Sequence, residues 1–152
     1  MDARHGRAAL VLYATAAAAY GLDRLTKTWA ASALPGDPID VIPGVLTLRF
    51  TENSGGAFSI GQSAPWFFVA VSAIVSLAIV VTAFRHADRI AAAGLGLVLG
   101  GALGNLTDRA IRGPGFGGHV IDFVDLHVWP VFNVADSAVV VGALLVAWRG
   151  LR

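Results

Sequence analysis

The chain has 152 residues, of which 56% are hydrophobic and 14% are charged, and eleven Lys and Arg against ten Asp and Glu leave a net charge of +1. Soluble domains are about 25% charged, so this composition, with a mean hydropathy of +0.69, excludes a disordered chain and argues against an ordinary soluble domain. The near-zero net charge argues against nucleic-acid binding, which needs a basic face. With no cysteine, disulfides and thiolate metal sites are excluded. The length predicts a single domain, 1–152.

Four apolar stretches predict four transmembrane helices, because about 20 apolar helical residues cross a bilayer core of ~30 Å. They lie approximately at residues 8–22, 64–84, 90–106 and 133–149. A cleaved signal peptide is the alternative for the first stretch, since Arg4 and Arg7 precede it and residues 31–33 resemble a cleavage site. Because three further apolar stretches follow it, we interpret the first stretch as a transmembrane helix.

The charges predict how these spans are oriented. Six of the eleven cationic residues lie in the N-terminus, the short loop 85–89 and the C-terminus, which four spans place on one side. The other side, made of loops 23–63 and 107–133, holds most of the acids. By the positive-inside rule, both termini are cytoplasmic and the long loops face outward. Trp29, Trp66 and Trp129 then fall at outer boundaries, as in an interfacial aromatic belt.

Glycines mark the third span as a central helix. Gly96, Gly100 and Gly104 repeat at a spacing of four, which lets helix backbones approach closely in lipid. We expect this helix to pack tightly against its neighbours.

The outward loops predict a small β-sheet and a mobile cover. Residues 46–51 alternate in polarity, which predicts a strand on the outer membrane surface, and turns are expected at 35–38, 43–44 and 54–56. The apolar segment 120–126 is expected to dip into the edge of the bilayer. Together with the glycine-rich residues 113–118, it would form a loop or lid between the last two spans.

Two carboxylates lie in apolar surroundings at the outer boundary. Asp136 lies near the start of the fourth span, and Asp122 lies 14 residues earlier. Ionisable residues at membrane depth are functional candidates, and two close carboxyls share a proton, so that one can act as a base on water and the other as an acid. Further polar residues at this boundary are Asp23, Lys27, Asn105, Asp108 and Arg109.

Structural roles are the alternative for several of these acids. Asp23 and Lys27 are spaced for an i, i+4 ion pair. Asp108 would pair with Arg109 or cap a helix, and Asp125 would be solvated.

Two other functions remain open on the residues alone. A membrane enzyme acting on lipid phosphate would use a divalent-metal site of four acids, Asp108, Asp122, Asp125 and Asp136. A transporter or assembly factor would use the acids as an ion path, although such a path needs ionisable groups through the membrane depth. Motifs of zinc proteases, serine hydrolases and nucleotide-binding loops do not occur in the sequence.

Five blocks in this order resemble bacterial lipoprotein signal peptidase, also called signal peptidase II, over essentially the whole chain. They are DRLTK at 23–27, ENSGGAFS at 52–59, GGALGNLTDR at 100–109, VIDF at 120–123 and FNVAD at 132–136. The resemblance implies an all-α membrane protein with four transmembrane helices, a small extracytoplasmic β-sheet, and a loop or lid between the last two spans.

The resemblance also implies an aspartic endopeptidase. It would cleave diacylglyceryl-modified prolipoproteins on the amino side of the lipidated cysteine, at the outer face of the bacterial cytoplasmic (inner) membrane. The implied catalytic residues are Asp122 and Asp136. The residues implied to bind substrate main chain or support the site are Asn53, Asn105, Arg109 and Asn133. The residues implied to be structural are Asp23, Lys27, Gly104, Asp108 and Ala135.

The implied partners are the signal peptides of diacylglyceryl-prolipoproteins, membrane lipids, and globomycin-like cyclic-peptide inhibitors. A monomer is expected, without metal or organic cofactor. Two departures from the family pattern concern the cover of the site: Gly56 stands where alanine is expected, and the spacer from Arg109 to Asp122 is long and rich in glycine.

Overall fold

The computed structural model describes residues 3–55, 65–86 and 88–151. Four helices account for most of these residues: α1 (Ala3–Ala33), α2 (Pro65–Thr82), α3 (Arg89–Ile111) and α4 (Val134–Gly150). A short 3₁₀ turn, Ala83–Arg85, follows α2. Gly56 and the rest of its block to Ser59 lie outside the described residues.

Helix α1 is much longer than the apolar stretch that predicted it. It runs for 31 residues, so Asp23 and Lys27 lie inside the helix and not in a loop after it. Charged residues do not end a helix when partners on neighbouring elements compensate them. Hydropathy detects only the charge-free part, which is why the expected end at residue 22 came too early.

Two helical stretches, Trp66–Arg85 and Arg89–Ile111, are long and apolar enough to cross a membrane. They correspond to the second and third expected spans. Helix α1 carries Asp23, Arg24 and Lys27 in its C-terminal half, and α4 has 17 residues, so length and composition alone do not mark these two helices as spans.

Helix α3 lies between α1 and α4, and its glycines explain how closely the three approach. A Cβ atom placed on Gly100 would lie 2.5 Å from the main-chain oxygen of Ala16 in α1. On the opposite side, a Cβ on Gly101 would collide with the main-chain oxygen of Ala135 in α4. The prediction of a tightly packed central helix is therefore confirmed.

A three-stranded antiparallel sheet connects the helices. Its strands are β1 (Ile39–Ile42), β2 (Leu46–Asn53) and β3 (Val120–Asp125), in the order β1-β2-β3. Strand β2 confirms the strand predicted at 46–51. Strand β3 corrects the expectation for 120–126, because this segment pairs with β2 and Asp122 lies opposite Thr51.

The sequence concealed β3 because nearly all of its residues are buried, the two acids included. A strand buried on both faces lacks the alternation by which strands are recognised. Strand β1 was not predicted either, since it has only four residues, all exposed.

The sheet packs on the C-terminal end of α1. Ile121 and Phe123 of β3 form an apolar cluster with Ala30 and Leu34, and Phe50 of β2 packs against it. This cluster fixes the height of β3 relative to the helices. It thereby sets where Asp122, on the opposite face of β3 from Ile121 and Phe123, meets the start of α4.

Candidate active site

The start of α4 positions the first carboxylate. Asn133 is the N-cap, and its side-chain oxygen accepts a hydrogen bond of 2.9 Å from the main-chain N–H of Asp136. In return, the main-chain N–H of Asn133 donates to Asp136 Oδ2 at 3.2 Å. This capping box holds Asp136 in the first helical turn, where the helix dipole favours negative charge.

Strand β3 positions the second carboxylate. Asp122 is only 2% exposed, and each of its oxygens accepts one amide hydrogen bond. Asn53 Nδ2 donates to Oδ2 at 3.0 Å, and Asn133 Nδ2 donates to Oδ1 at 2.7 Å. Asn133 therefore bonds directly to both Asp122 and Asp136, and it brings together the two acids that the sequence singled out.

Asn105 of α3 supports the other side of Asp136. Its Nδ2 donates to Asp136 Oδ1 at 2.8 Å. Its oxygen accepts from Lys27 Nζ at 2.8 Å and from Asn133 Nδ2 at 3.1 Å. The three asparagines named from the sequence all contact the acids, and in this structure their amides hold the carboxylates.

The electrostatics of the pair follow from its burial. Removal from water, together with the nearby charge of Asp136, raises the pKa of Asp122 to about 7. The hydrogen bonds from Asn53 and Asn133 and the charge of Lys27 oppose this rise without cancelling it. Near neutral pH, Asp122 is thus able both to hold and to release a proton, as a member of a proton-sharing pair must.

Both acids line one cavity of about 410 Å³, which we call the inner cavity. Helices α2, α3 and α4 supply most of its wall, and the lining side chains are mainly apolar. Examples are Phe68, Val71, Val98, Ala102, Val139 and Val140. The carboxyls therefore face a space suited to an apolar chain.

Arg109 contributes a cation to the inner cavity. It is 6% exposed, donates from Nη2 to the main-chain oxygen of Gly55 at 2.8 Å, and lies with its guanidinium carbon 5.6 Å from the centre of the Phe68 ring. Within the described part of the chain, its buried Nη1 has no hydrogen-bond partner. A buried N–H without an acceptor is costly, so this atom is suited to donate a hydrogen bond to a ligand oxygen.

A cluster of buried charged side chains lies next to the segments that carry Asp122 and Asp136. Lys27 Nζ lies 2.9 Å from Asp23 Oδ2 and 2.9 Å from Asp108 Oδ2, and all three side chains are fully buried. Asp23 Oδ1 accepts the main-chain N–H of Ala135 at 3.0 Å, and Asp108 Oδ2 accepts that of Ile121 at 3.3 Å. The cluster thus ties α1 and α3 to the elements that carry Asp136 and Asp122.

The cluster includes partners that sequence reasoning missed. Asp108 was expected to pair with Arg109 or to cap a helix, but it pairs with Lys27, Arg24 and Arg112. The i, i+4 spacing of Asp108 and Arg112 was a usable signal. The pairing with Arg24 spans 84 positions, so no local pattern predicts it. Gly104 belongs to this region because a Cβ there would strike the Asp23 carboxylate.

Asp125 lies apart from the other acids, and the expectation that it is solvated was wrong. It is 7% exposed, accepts Arg49 Nε at 2.6 Å, and accepts the main-chain N–H of His127 at 2.8 Å. These bonds, the one from His127 first, hold the pKa of Asp125 below its usual value. Since Asp125 and Asp108 are each engaged by cations, the four-acid metal site considered from the sequence does not assemble. Among the described residues, no three His, Asp or Glu side chains cluster closely enough to hold a metal ion.

Comparisons with known proteins identify the fold and the family. A solved bacterial membrane enzyme is similar with a TM-score of 0.81 and 29% sequence identity, covering 96% of this chain and 88% of that one. The chain is thus a membrane protein of mostly helical fold with a small antiparallel sheet. The family model described as signal peptidase (SPase) II matches residues 15–152.

Curated relatives agree with that match. A lipoprotein signal peptidase of Rhodococcus jostii is 44% identical over 138 residues, which is 90% of this chain and 70% of the relative. One of Mycobacterium avium is 43% identical over 141 residues, which is 89% of this chain and 75% of the relative. The chain belongs to the signal peptidase II family and is a protease. The resemblance inferred from the sequence is confirmed, and so is the activity it implied, that of a lipoprotein signal peptidase.

Proposed function

We propose that Asp122 and Asp136 form a catalytic dyad that hydrolyses diacylglyceryl-prolipoproteins on the amino side of the lipidated cysteine. The observation that carries the proposal is the double bonding of Asn133, whose side chain donates to Asp122 and whose main chain donates to Asp136. Asn133 thus holds two carboxyl groups by hydrogen bonds, and both line one largely apolar cavity. Two carboxyls in such an arrangement share a single proton.

In the proposed reaction, Asp136 is the base and Asp122 the acid. The Asp136 carboxylate takes a proton from water while the water oxygen attacks the carbonyl carbon, and Asp122 gives its proton to the carbonyl oxygen. The tetrahedral diol then collapses as Asp136 passes its proton to the departing nitrogen and Asp122 recovers one from a hydroxyl. The C–N bond breaks, leaving a new carboxyl and a new amine, and both acids return to their starting state.

The supporting residues divide into two groups. Asn53, Asn105 and Asn133 already donate to the acids, so we assign them to holding the dyad in place. Arg109 lines the inner cavity, and no described residue bonds its Nη1, so we assign it to a main-chain oxygen of the substrate. An extended chain in hydrocarbon needs such donors, since each unpaired backbone group costs several kcal/mol.

We further infer that all four helices cross the bacterial cytoplasmic (inner) membrane, with both termini in the cytoplasm. Around the cluster of buried charged side chains, α1 still exposes large apolar side chains, as at Leu22, at Leu25, which is 71% exposed, and at Trp29. From Ala8 to Trp29 the helix spans ~33 Å, enough for a bilayer core. An ion pair between Asp88 at the start of α3 and Arg149 at the end of α4 brings these two ends to one side.

Substrate would enter the inner cavity sideways from the lipid, and the products would leave at the outer face. The apolar lining of this cavity suits the hydrophobic segment of a signal peptide and also cyclic-peptide inhibitors of the globomycin kind. The proposed working unit is one chain in membrane lipid, acting without metal or organic cofactor.

Substitution of the two acids tests the dyad. In purified full-length protein, Asp122→Asn and Asp136→Asn should each abolish cleavage of a diacylated lipobox peptide while the protein remains folded, as judged by circular dichroism. Asp37→Asn, which changes an exposed acid in the turn before β1, is the matched control and should cleave normally. Normal cleavage by either dyad variant would overturn the assignment, and loss of activity after strong chelation would favour the metal-dependent alternative.

Single cysteines test the orientation, because the chain has none of its own. Ser32→Cys near the outer end of α1 should react with a membrane-impermeant maleimide added to whole cells, or to spheroplasts where an outer membrane is present. Gly150→Cys at the end of α4 should react only after the membrane is permeabilised. The reverse pattern would place the termini outside and refute this topology.

A further inference from the structure

We propose that a second compartment, on the side of Asp122 away from the helices, binds the mature segment of the substrate just after the cleaved bond, and that Arg49 favours an acidic side chain there. This outer groove has a volume of about 520 Å³ and is lined by Arg49, Thr51, Asn53, Asp122, His127 and Trp129, among others. The inference rests on the proposed dyad, because it takes Asp122 as the point of cleavage.

The outer groove and the inner cavity meet at the site. Asn53, Asp122 and the segment 129–131 line both of them. An endopeptidase cuts within a chain, so its substrate must leave the reacting carboxyls in two directions. The inner cavity, walled by helices, suits the apolar signal segment that precedes the bond. The outer groove is the remaining path, and it receives the polar chain that follows the bond.

Strand β2 supplies a strip of side chains along the outer groove. Thr51 and Asn53 share one face of the strand, and Arg49, which precedes them across a register shift between Leu48 and Thr51, lines the same groove. Asn53 bonds Asp122 at 3.0 Å, and Thr51 lies opposite Asp122 in the sheet. At ~3.3 Å per residue, Arg49 lies about 13 Å from Asn53 along the strand. An extended substrate covers that distance in about four residues.

Arg49 has capacity for a further partner. Its side chain is 47% exposed, and its Nε donates to Asp125 at 2.6 Å. A guanidinium carries five N–H donors, and the described residues engage only Nε, so the terminal nitrogens can bind a carboxylate of the substrate. His127 is held at the same end of the groove by a 3.0 Å contact from its Nε2 to Thr47 Oγ1. Because about four extended residues cover the distance from Asn53 to Arg49, we expect Arg49 to bind the side chain of the fourth residue after the cleaved bond. The lipidated cysteine is counted as the first of these residues.

Three diacylated lipopeptides that differ only at this fourth residue test the proposal. With Asp, Asn or Lys at that position, kcat/KM is measured for the purified full-length chain in mixed lipid–detergent micelles. The wild type should prefer Asp over Lys by about two- to fivefold, the range of a partly exposed ion pair. The preference should shrink as salt is raised, because the charges are accessible to solvent.

Variants of Arg49 separate this site from the dyad. Arg49→Gln should bring the Asp-to-Lys ratio to about one, Arg49→Glu should invert it, and Arg49→Lys should retain it, whatever the absolute rates. Arg85→Gln, an exposed arginine at the other end of the molecule, should keep the wild-type ratio. A wild-type ratio of one, or a ratio unchanged in Arg49→Gln, overturns the proposal. Neither outcome contradicts the proposed catalytic role of Asp122 and Asp136. That role would be contradicted instead if Asp122→Asn still cleaved the substrate.

Discussion

The ammonium nitrogen of Lys27 lies 2.8 Å from the side-chain oxygen of Asn105, and this contact determines which end of the Asn105 amide faces Asp136. An ammonium group only donates hydrogen bonds, so the amide oxygen must turn towards it and the NH₂ must turn towards Asp136, 2.8 Å away. Lys27 has two further close partners, Asp23 and Asp108. A lysine in the bundle interior therefore orients a group that bonds directly to Asp136.

Removing this cation should destabilise the protein strongly. Lys27→Met leaves Asp23 and Asp108 buried with less compensation, and loss of one partner of a buried pair costs about 3–5 kcal/mol. Unfolding in detergent, followed by circular dichroism, measures the free energy of unfolding, with the exposed Arg85→Gln as control. The double variant Asp23→Asn, Lys27→Met should recover part of the loss because one buried charge disappears. Wild-type stability in Lys27→Met would show that the cluster does not bind α1 to α3.

The pH dependence of cleavage should reflect Asp122. With its pKa at about 7, Asp122 holds its proton below that pH and loses it above, so kcat/KM should fall about tenfold per unit on the alkaline side. Asn53→Leu removes a hydrogen bond that lowers this pKa, so it should move the alkaline limb upward. Asp125→Asn, on the same strand, should leave the limb in place. An alkaline limb that does not move in Asn53→Leu would contradict the assignment.

The same shift has a consequence for stability, with a definite sign. Burial raises the pKa of Asp122 in the folded state, so the folded protein binds more protons than the unfolded chain between about pH 4 and pH 7. The contribution of Asp122 to the free energy of unfolding is therefore fully present below about pH 4 and is lost as the pH rises through 7. The neutral variant Asp122→Asn should therefore gain stability relative to wild type on going from pH 5 to pH 8. A constant difference in unfolding temperature across this range would refute the shift.

Two glycine substitutions should have opposite effects on stability. Gly100→Ala places a Cβ 2.5 Å from the Ala16 oxygen, which forces α1 and α3 apart and should cost about 1–3 kcal/mol. Gly21→Ala in α1 meets no atom within 4 Å, so it should stabilise the helix by up to about 1 kcal/mol. Thermal unfolding of both variants gives the comparison. Equal effects would mean that the close approach of α1 and α3 does not depend on Gly100.

Arg109 and Arg112 offer a matched pair on one helix. Arg109 contacts Gly55 and Phe68 through its planar guanidinium, and lysine cannot reproduce both contacts. Arg109→Lys should lower kcat/KM by about 10-fold or more, mainly through KM if the side chain binds substrate in the ground state. Arg112→Lys keeps the charge beside Asp108 and should have a smaller effect. Similar losses in the two variants would argue against a substrate contact at Arg109.

Local patterns predicted the helices and one strand, but they missed features that depend on distant partners. The alternation of apolar and polar residues at 46–51 was sufficient to identify β2, although the observed burial of its residues does not follow that alternation. Strand β3 is buried along most of its length, so its apolar run was indistinguishable from a segment entering the bilayer. Asp125 was taken as solvated because its cation, Arg49, lies 76 positions earlier.

The sequence by itself determined the membrane class of this protein and the set of polar residues at one boundary, because composition and hydropathy are properties of short stretches. Family motifs then singled out Asp122 and Asp136 from that set. Only the tertiary structure decided that Asn133 bonds to both of them and that Asp108 joins Arg24, Lys27 and Arg112. Such contacts depend on how α1, α3, α4 and the sheet pack, and helix packing is determined by close approach at residues such as Gly100, not by the spacing of the charges along the chain.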